Sequence, residues 1–365
     1  MGKEGKLEFY SEENQMINII SFIVVLGVLV FVHELGHFLV AKRMGIKVER
    51  FSLGFPPKMI GKKIGDTEYC ISWIPLGGYV KMAGENPEEE KDKWESYEFM
   101  GKPPWQRGLI IFAGPLMNFL LAIFVFWGVV FFSGKEIVHY DKTTIGLVGK
   151  DSPAEKAGLK SGDQILSVNG IEVKNFMDMA EIIYKEVEKP VILKWRRGDQ
   201  IYETQVTTFK EKVEDQDGKP KEVGKIGVSP TYTIIRLNIF QSFLEGVGLT
   251  IFITVESVKF VVGLFTGAAS LKMVGGPIFI AKTAGETAKL GLASFFSFIA
   301  LLSVNLSIIN ILPIPVLDGG HILFLGMEKI RRKPLSLKQK AIVQQIGLAF
   351  LLALIIYVSY NDILR

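Results

Sequence analysis

The stretch NQMINIISFIVVLGVLVFVHELGH, residues 14–37, is uncharged from Asn14 to His33 and then sets Glu34 into an otherwise apolar helix. Residues 14–33 suffice to cross about 30 Å of hydrocarbon at ~1.5 Å per residue. A carboxylate near the bilayer centre costs about 2.5–3.5 kcal/mol, so Glu34 calls for a use. On a helix His33 and His37, four apart, share one face, where both imidazoles can reach one metal and Glu34 can reach its bound water. The plainer reading is a polar helix end lying among the headgroups.

Working outward, three more stretches lack Asp, Glu, Lys and Arg over a membrane-spanning length: 108–134, 290–317 and 341–361. A further apolar region, 237–271, is broken by Glu245, Glu256 and Lys259, and reads as an amphipathic helix lying in the interface. Four spans are therefore expected in a chain of 365 residues, with room for a separate soluble unit. The net charge of +4 shows no polyelectrolyte character, so no nucleic-acid partner is expected. A single cysteine, Cys70, excludes an internal disulfide framework and a multi-cysteine zinc site, leaving His and carboxylate as metal ligands. The acid-rich leader (Glu4, Glu8, Glu12, Glu13) argues against a cleaved signal peptide.

Basic residues orient the chain. Lys329, Arg331, Arg332, Lys333, Lys338 and Lys340 place the 329–340 loop in the cytoplasm, and Lys42, Arg43, Lys47 and Arg50 place 41–107 there too. Both termini and the segment 135–236 then lie outside. The expected order is a first transmembrane helix (1–44), a cytoplasmic loop (45–107), a second span (108–134), an outer domain with linker (135–236), an amphipathic region (237–289), a third transmembrane segment (290–321), and a cytoplasmic loop with the fourth span (322–365).

The outer segment alternates strand-like runs, Ile165–Val168 and Val191–Trp195, with Gly, Asp and Asn turn signals. Within it SPAEKAGLKSGDQILSVNG, 152–170, resembles the helix-turn-strand passage of a PDZ domain, and 143–210 suits one copy. A PDZ fold binds extended peptide at a sheet edge, which implies a receptor for a peptide tail; the other reading is a steric plug. The charged stretch 211–225 reads as a solvated hairpin or linker.

A catalytic zinc takes three protein ligands, so two histidines leave the site short. His139 lies in the outer domain and His321 beyond the third span; the best-placed carboxylate is Asp318, in NILPIPVLDGGH, 310–321. Pro313 and Pro315 interrupt the helix there, and Gly319 and Gly320 permit close approach. Both His33 and Asp318 end spans running inward, so they meet at similar depth, and a fifth crossing at 237–271 would put them on opposite faces. A di-iron site built from Glu34-x-x-His37 and Asp318-x-x-His321 would need further carboxylates, which 108–134 and 341–361 lack.

The segment Tyr69–Met82, aromatic and β-branched with Pro75, Gly77 and Gly78 as turn signals, reads as a membrane-dipping hairpin with a free edge that an unwound substrate strand could join; an ordinary cytoplasmic hairpin is the alternative. Asn310 either bonds a substrate backbone or satisfies carbonyls freed by Pro313. Gly114 and Asn118 read as a helix-packing pair.

HELGH in the first span, the PDZ-like insert and N-x-x-P-x-P-x-L-D-G-G in the third, with GGYVKM (77–82), GPLMN (114–118) and GGPIFIAK (275–282), together resemble the site-2 protease family, bacterial RseP-type members above all. The resemblance implies a multi-pass α-helical protein of the bacterial inner membrane, with four transmembrane helices, one extracytoplasmic PDZ-like α+β domain and a membrane-reentrant β-hairpin. It implies an intramembrane metalloprotease with one Zn2+ per chain, held by His33, His37 and Asp318, and Glu34 as general base. Asn310 would contact the substrate backbone, and Tyr79, with Gly77 and Gly78, would belong to the reentrant substrate-binding loop. The implied partners are the lipid bilayer and single-span membrane proteins such as anti-sigma factors or signal-peptide remnants. Some family members carry two PDZ units where this chain has one. A rival of another class is a non-catalytic membrane scaffold that binds exported tails through its PDZ domain, which would have no need of Glu34.

Overall fold

The computed structural model describes residues 3–85, 93–214, 220–331 and 337–364, in two compact units. One comprises Met1–Phe132 with Asn238–Arg365, the other Ser133–Leu237.

The chain opens with α1, Lys3–Arg43, a single helix that carries the first span and closes on the basic pair Lys42 and Arg43, favourable at the negative end of a helix dipole. Two long strands follow, β1 (Val48–Ile64) and β2 (Thr67–Met82). Each bends back on itself, so residues 50–53 pair with 68–71 on one edge and 78–81 on the other, while 58–64 close onto 67–72. The bend falls near Phe55–Pro57 and Ile74–Gly77, where Pro and Gly interrupt the ladder. Helix α2, Pro104–Ser133, begins on proline, which suits a position whose amide is unbonded anyway.

The second unit contains β3 (Lys135–His139), β4 (Ile145–Val148), α3 (Pro153–Lys156), β5 (Gln164–Val168), β6 (Ile171–Glu172), α4 (Phe176–Lys185), β7 (Pro190–Arg197), β8 (Gln200–Thr207), β9 (Phe209–Glu214), β10 (Pro220–Lys225) and β11 (Val228–Ile235). Strands β6-β5-β7-β8 form one antiparallel sheet; β11 pairs with both β3 and β4. Ser152 and Asn175 cap α3 and α4 by accepting the Glu155 and Asp178 amides. Ile145, Leu159, Ile165, Met179, Leu193 and Trp195 build the unit's own core. Buried Asp163 receives a two-pronged contact from Arg197 at 2.7 Å. The 211–225 stretch forms the β9–β10 hairpin; its tip, 215–219, lies outside the described residues.

In the first unit the chain resumes with α5 (Ile239–Thr266), α6 (Pro277–Leu290), α7 (Leu292–Ile311), α8 (Asp318–Arg331) and α9 (Leu337–Leu364). Among the described residues five helices are long and apolar enough to cross a membrane: Asn14–Arg43 within α1, α2, α5, α7, and Gln339–Leu364 within α9. The region 237–271 contains one long helix, α5, whose length and composition would allow a crossing. Its charges do not break the helix, because Glu256 and Lys259 pair with each other at 2.8 Å on one exposed face. Its opposite face is small and polar: Gly246 meets the α2 backbone at Trp127, and Ser257 donates to Asn305 of α7 at 2.7 Å.

Helix α6 then runs back along α1, with Gly285 against Asn18 and Lys289 bonding Asn14, before α7 starts. The depth matching of His33 with Asp318 rests on the coordinates themselves, which bring the two side chains together. Asp362 of α9 caps α6, accepting the Gly276 and Phe279 amides at 3.0 and 2.9 Å, which accounts for the Gly275-Gly276-Pro277 start of that helix. Of the basic 329–340 loop, 332–336 lie outside the described residues.

Candidate metal centre

Helix periodicity sets His33 and His37 on one face of α1, their rings edge-to-face at 4.8 Å between centroids and their Nε2 atoms 3.2 Å apart. The third member arrives from the far end of the chain. After α7 stops at Ile311, the Pro313/Pro315 segment turns the chain, and Asp318 becomes the first residue of α8 rather than the end of the preceding span. Val316 sits at φ 92° in this turn, a costly conformation for a β-branched residue two positions before the carboxylate. Gly319 and Gly320 pack directly on the carbonyls of Ile311 and Ile314, leaving no room for a Cβ. Asp318 Oδ2 lies 3.1 Å from His33 Nε2 and 3.6 Å from His37 Nε2.

Three donors at these separations fit a zinc ion. Tetrahedral zinc with bonds of about 2.0–2.1 Å to nitrogen or oxygen puts its ligand atoms ~3.3 Å apart, the middle of the observed spacings. Asp318 Oδ2 is moreover buried without a hydrogen-bond partner, an acceptor that a cation would satisfy. Among the described residues this is the one cluster of three such ligands within 4.8 Å of one another. His139 is in the other unit, and His321, one turn along α8, is not part of the cluster.

Neighbouring helices hold these side chains. His37 Nδ1 donates to the Ile110 carbonyl of α2 at 2.8 Å, which directs Nε2 to the centre. Gly114 of α2 faces both rings; a Cβ there would stand 2.4 Å from His37 Nε2 and 2.8 Å from His33 Cε1. The side-chain amide of Asn118, fully buried, lies 3.4 Å from His33 Nδ1. Both residues were expected merely to pack helices, and their part at the centre went unread, because the sequence shows their spacing but not the neighbour they face. Ser303 and Ser307 of α7 donate to the Asn118 and Pro115 carbonyls at 2.7 and 2.8 Å, tying α2 to the helix that leads to Asp318.

The doubled-back β2 reaches the same place. Gly78 packs on the Glu34 Cγ, 3.1 Å from where its own Cβ would be, and Gly77 lies on the Phe55 ring. The Val80 backbone amide hydrogen-bonds the Glu34 carboxylate, and the Met82 amide goes to Glu85 at 3.1 Å. Alternate amides of 78–82 therefore leave the strand on the side away from 50–53, and among the described residues no other strand occupies that edge. Tyr79 points the other way: its hydroxyl accepts from Arg50 at 3.1 Å. Asn310 stands half-buried in the last turn of α7, eight residues from Asp318.

Residues 21–354 match Peptidase family M50. The chain belongs to peptidase family M50. It is similar to the regulator of sigma-W protease RasP of Bacillus subtilis, 32% identical over 95% of this chain and 98% of that one. The regulator of sigma E protease of Haemophilus influenzae is 33% identical over 94% of this chain and 98% of its own. The zinc metalloprotease RasP of Geobacillus kaustophilus is 32% identical, over 95% and 97%. A solved PDZ domain of an SdrC-like protein from Listeria monocytogenes is 24% identical over 26% of this chain and 92% of its own, with a TM-score of 0.20. Membership in M50 makes this chain a metalloprotease of the site-2 type, as its motifs implied.

Proposed function

We propose that this M50 protease holds one zinc ion between His33, His37 and Asp318 and hydrolyses peptide bonds inside single-span membrane proteins, with Glu34 as its general base. The observation that carries this reading is the convergence of three ligands at tetrahedral spacing with a carboxylate and an open strand edge beside them. Zinc, when bound, supplies Lewis-acid chemistry that activates water and polarises the scissile carbonyl. Glu34 takes the proton from that water and passes it to the leaving amine. The Val80 amide, by bonding the carboxylate, holds it in place.

A substrate helix must unwind before its amides can react, and hydrocarbon offers the freed groups no partners. The outward amide and carbonyl of Gly78 and the outward carbonyl of Val80, whose amide is engaged by Glu34, supply them by strand addition. Tyr79 contributes through its backbone, since its side chain is engaged by Arg50. Asn310 bonds the substrate chain from the opposite side. Exposed Met59, Ile60, Ile64, Ile71 and Trp73 on the outer part of the hairpin support its dipping into the bilayer.

The basic ends of α1 and α8, Lys42, Arg43, Lys329 and Arg331, favour a cytoplasmic active site in the bacterial inner membrane, with the Ser133–Leu237 unit and both termini outside. That unit receives a peptide tail. Anti-sigma factors and signal-peptide remnants fit as substrates, the former in keeping with the names of the sigma-regulating relatives.

The test is cleavage of a single-span reporter by wild type and Glu34→Gln, with zinc measured on both. Wild type should cut within the membrane segment while the variant keeps zinc and does not cut. Equal cutting overturns the mechanism; no cutting by either across several reporters, with zinc present, favours the scaffold.

A further inference from the structure

We propose that Asn118 is a positioning residue that sets the tautomer of His33, accepting a hydrogen bond from His33 Nδ1–H so that the Nε2 lone pair faces the metal. The inference rests on the zinc reading above and deepens it.

His33 approaches both other ligands through Nε2. A neutral imidazole that offers Nε2 to a metal keeps its proton on Nδ1, and that proton needs an acceptor. His37 has one in the Ile110 carbonyl. For His33 the group at Nδ1 is the Asn118 amide, placed with Nδ2 toward the ring at 3.4 Å and with Oδ1 buried and unpartnered. In that orientation Nδ1 must accept, the proton moves to Nε2 and points at the other ligands, and a buried acceptor is left unpaired. Turning the amide by 180° exchanges two atoms of nearly equal shape: Oδ1 gains a donor and Nε2 gains its lone pair, while Nδ2 moves to the side Oδ1 had occupied.

The surroundings leave Asn118 little freedom to do otherwise. It is 0% exposed, and its own carbonyl is held by Ser303, itself fully buried. Gly114, one turn earlier, lets α2 come close enough for the contact. The GPLMN motif is thus one device, with the glycine admitting the rings and the asparagine orienting one of them.

The experiment is zinc affinity of the full-length protein in detergent, measured by chelator competition, together with the visible spectrum of the cobalt(II)-substituted protein. The variants are Asn118→Leu, similar in size but without an acceptor, and Asn118→Asp, which keeps one. We expect Leu to weaken zinc binding roughly 10–100-fold and to change the cobalt spectrum, and Asp to stay within about threefold of wild type. Wild-type affinity in the leucine variant would overturn the inference, and so would equal losses in both, which would indicate packing alone. Asn118→Ala provides the same comparison if leucine does not fold. A wild-type protein that binds no zinc at all would take the metal-centre reading down as well, so the two failures are distinguishable.

Discussion

Gly114→Ala tests the centre with one methyl group. Its Cβ would stand 2.4 Å from His37 Nε2, 2.6 Å from His37 Cε1 and 2.8 Å from His33 Cε1, whereas ordinary contact begins near 3.4 Å. Something must therefore yield by about 1 Å. The backbone of α2 cannot easily retreat, because Ser303 and Ser307 hold the Asn118 and Pro115 carbonyls. The imidazoles move instead, and a displacement of ~1 Å at reacting groups costs roughly a hundredfold in rate. Gly128→Ala is the control in the same helix: nothing lies within 4 Å of its Cβ, so only helix propensity changes, in the stabilising direction by up to about 1 kcal/mol. The assay is kcat/KM on a single-span reporter with zinc content of each sample. A Gly114→Ala enzyme with full zinc and more than about a third of wild-type kcat/KM would refute the reasoning.

Gly78→Ala presses on Glu34, and Gly78→Pro in addition removes an edge amide, so at normal zinc content proline should be the slower enzyme by at least tenfold; equal turnover would remove strand addition at this residue. Burial raises the Asp163 carboxyl's pKa, but Arg197 together with the Lys160 amide and charge more than offsets this and holds it below the usual range. The contact therefore stabilises the Ser133–Leu237 unit above the unfolded value of ~3.9 and is lost as pH falls through the lower folded one. Asp163→Asn should cost about 2 kcal/mol at pH 7 and flatten that acid dependence, read by hydrogen exchange within the unit. If α5 crosses and α6 returns, Ala268→Cys in a Cys70→Ser background should react with an impermeant maleimide from the cytoplasmic side; labelling from outside would place α5 in the outer interface.

The three residues of the candidate centre were legible because their pattern is local: i, i+4 histidines around a carboxylate, and an aspartate after a proline-broken helix. The Ser133–Leu237 unit was legible from its turn residues and strand alternation. What escaped is what depends on neighbours distant in the chain. The charges in 237–271 marked it as amphipathic, but that Glu256 and Lys259 pair with each other on one face of α5 is set by the folded helix. The return of α6 along α1 depends on Gly285 meeting Asn18, and the doubling of β2 on 78–81 finding 50–53, neither of which shows in a periodicity. Asn118 was visible as a polar residue in a span, yet its neighbour, His33, belongs to another helix.

Because α1 supplies two residues of the candidate centre and α8 the third, the centre is also ordered in time. During synthesis His33 and His37 leave the ribosome long before Asp318, by roughly half a minute at about 10 residues per second. Throughout that interval the nascent chain already carries Glu34 and its histidines in the membrane, among other newly inserted helices, with the carboxylate ligand still unmade. On the proposed ligand set, this metalloprotease is born inert and becomes competent only when its own later helices have been made.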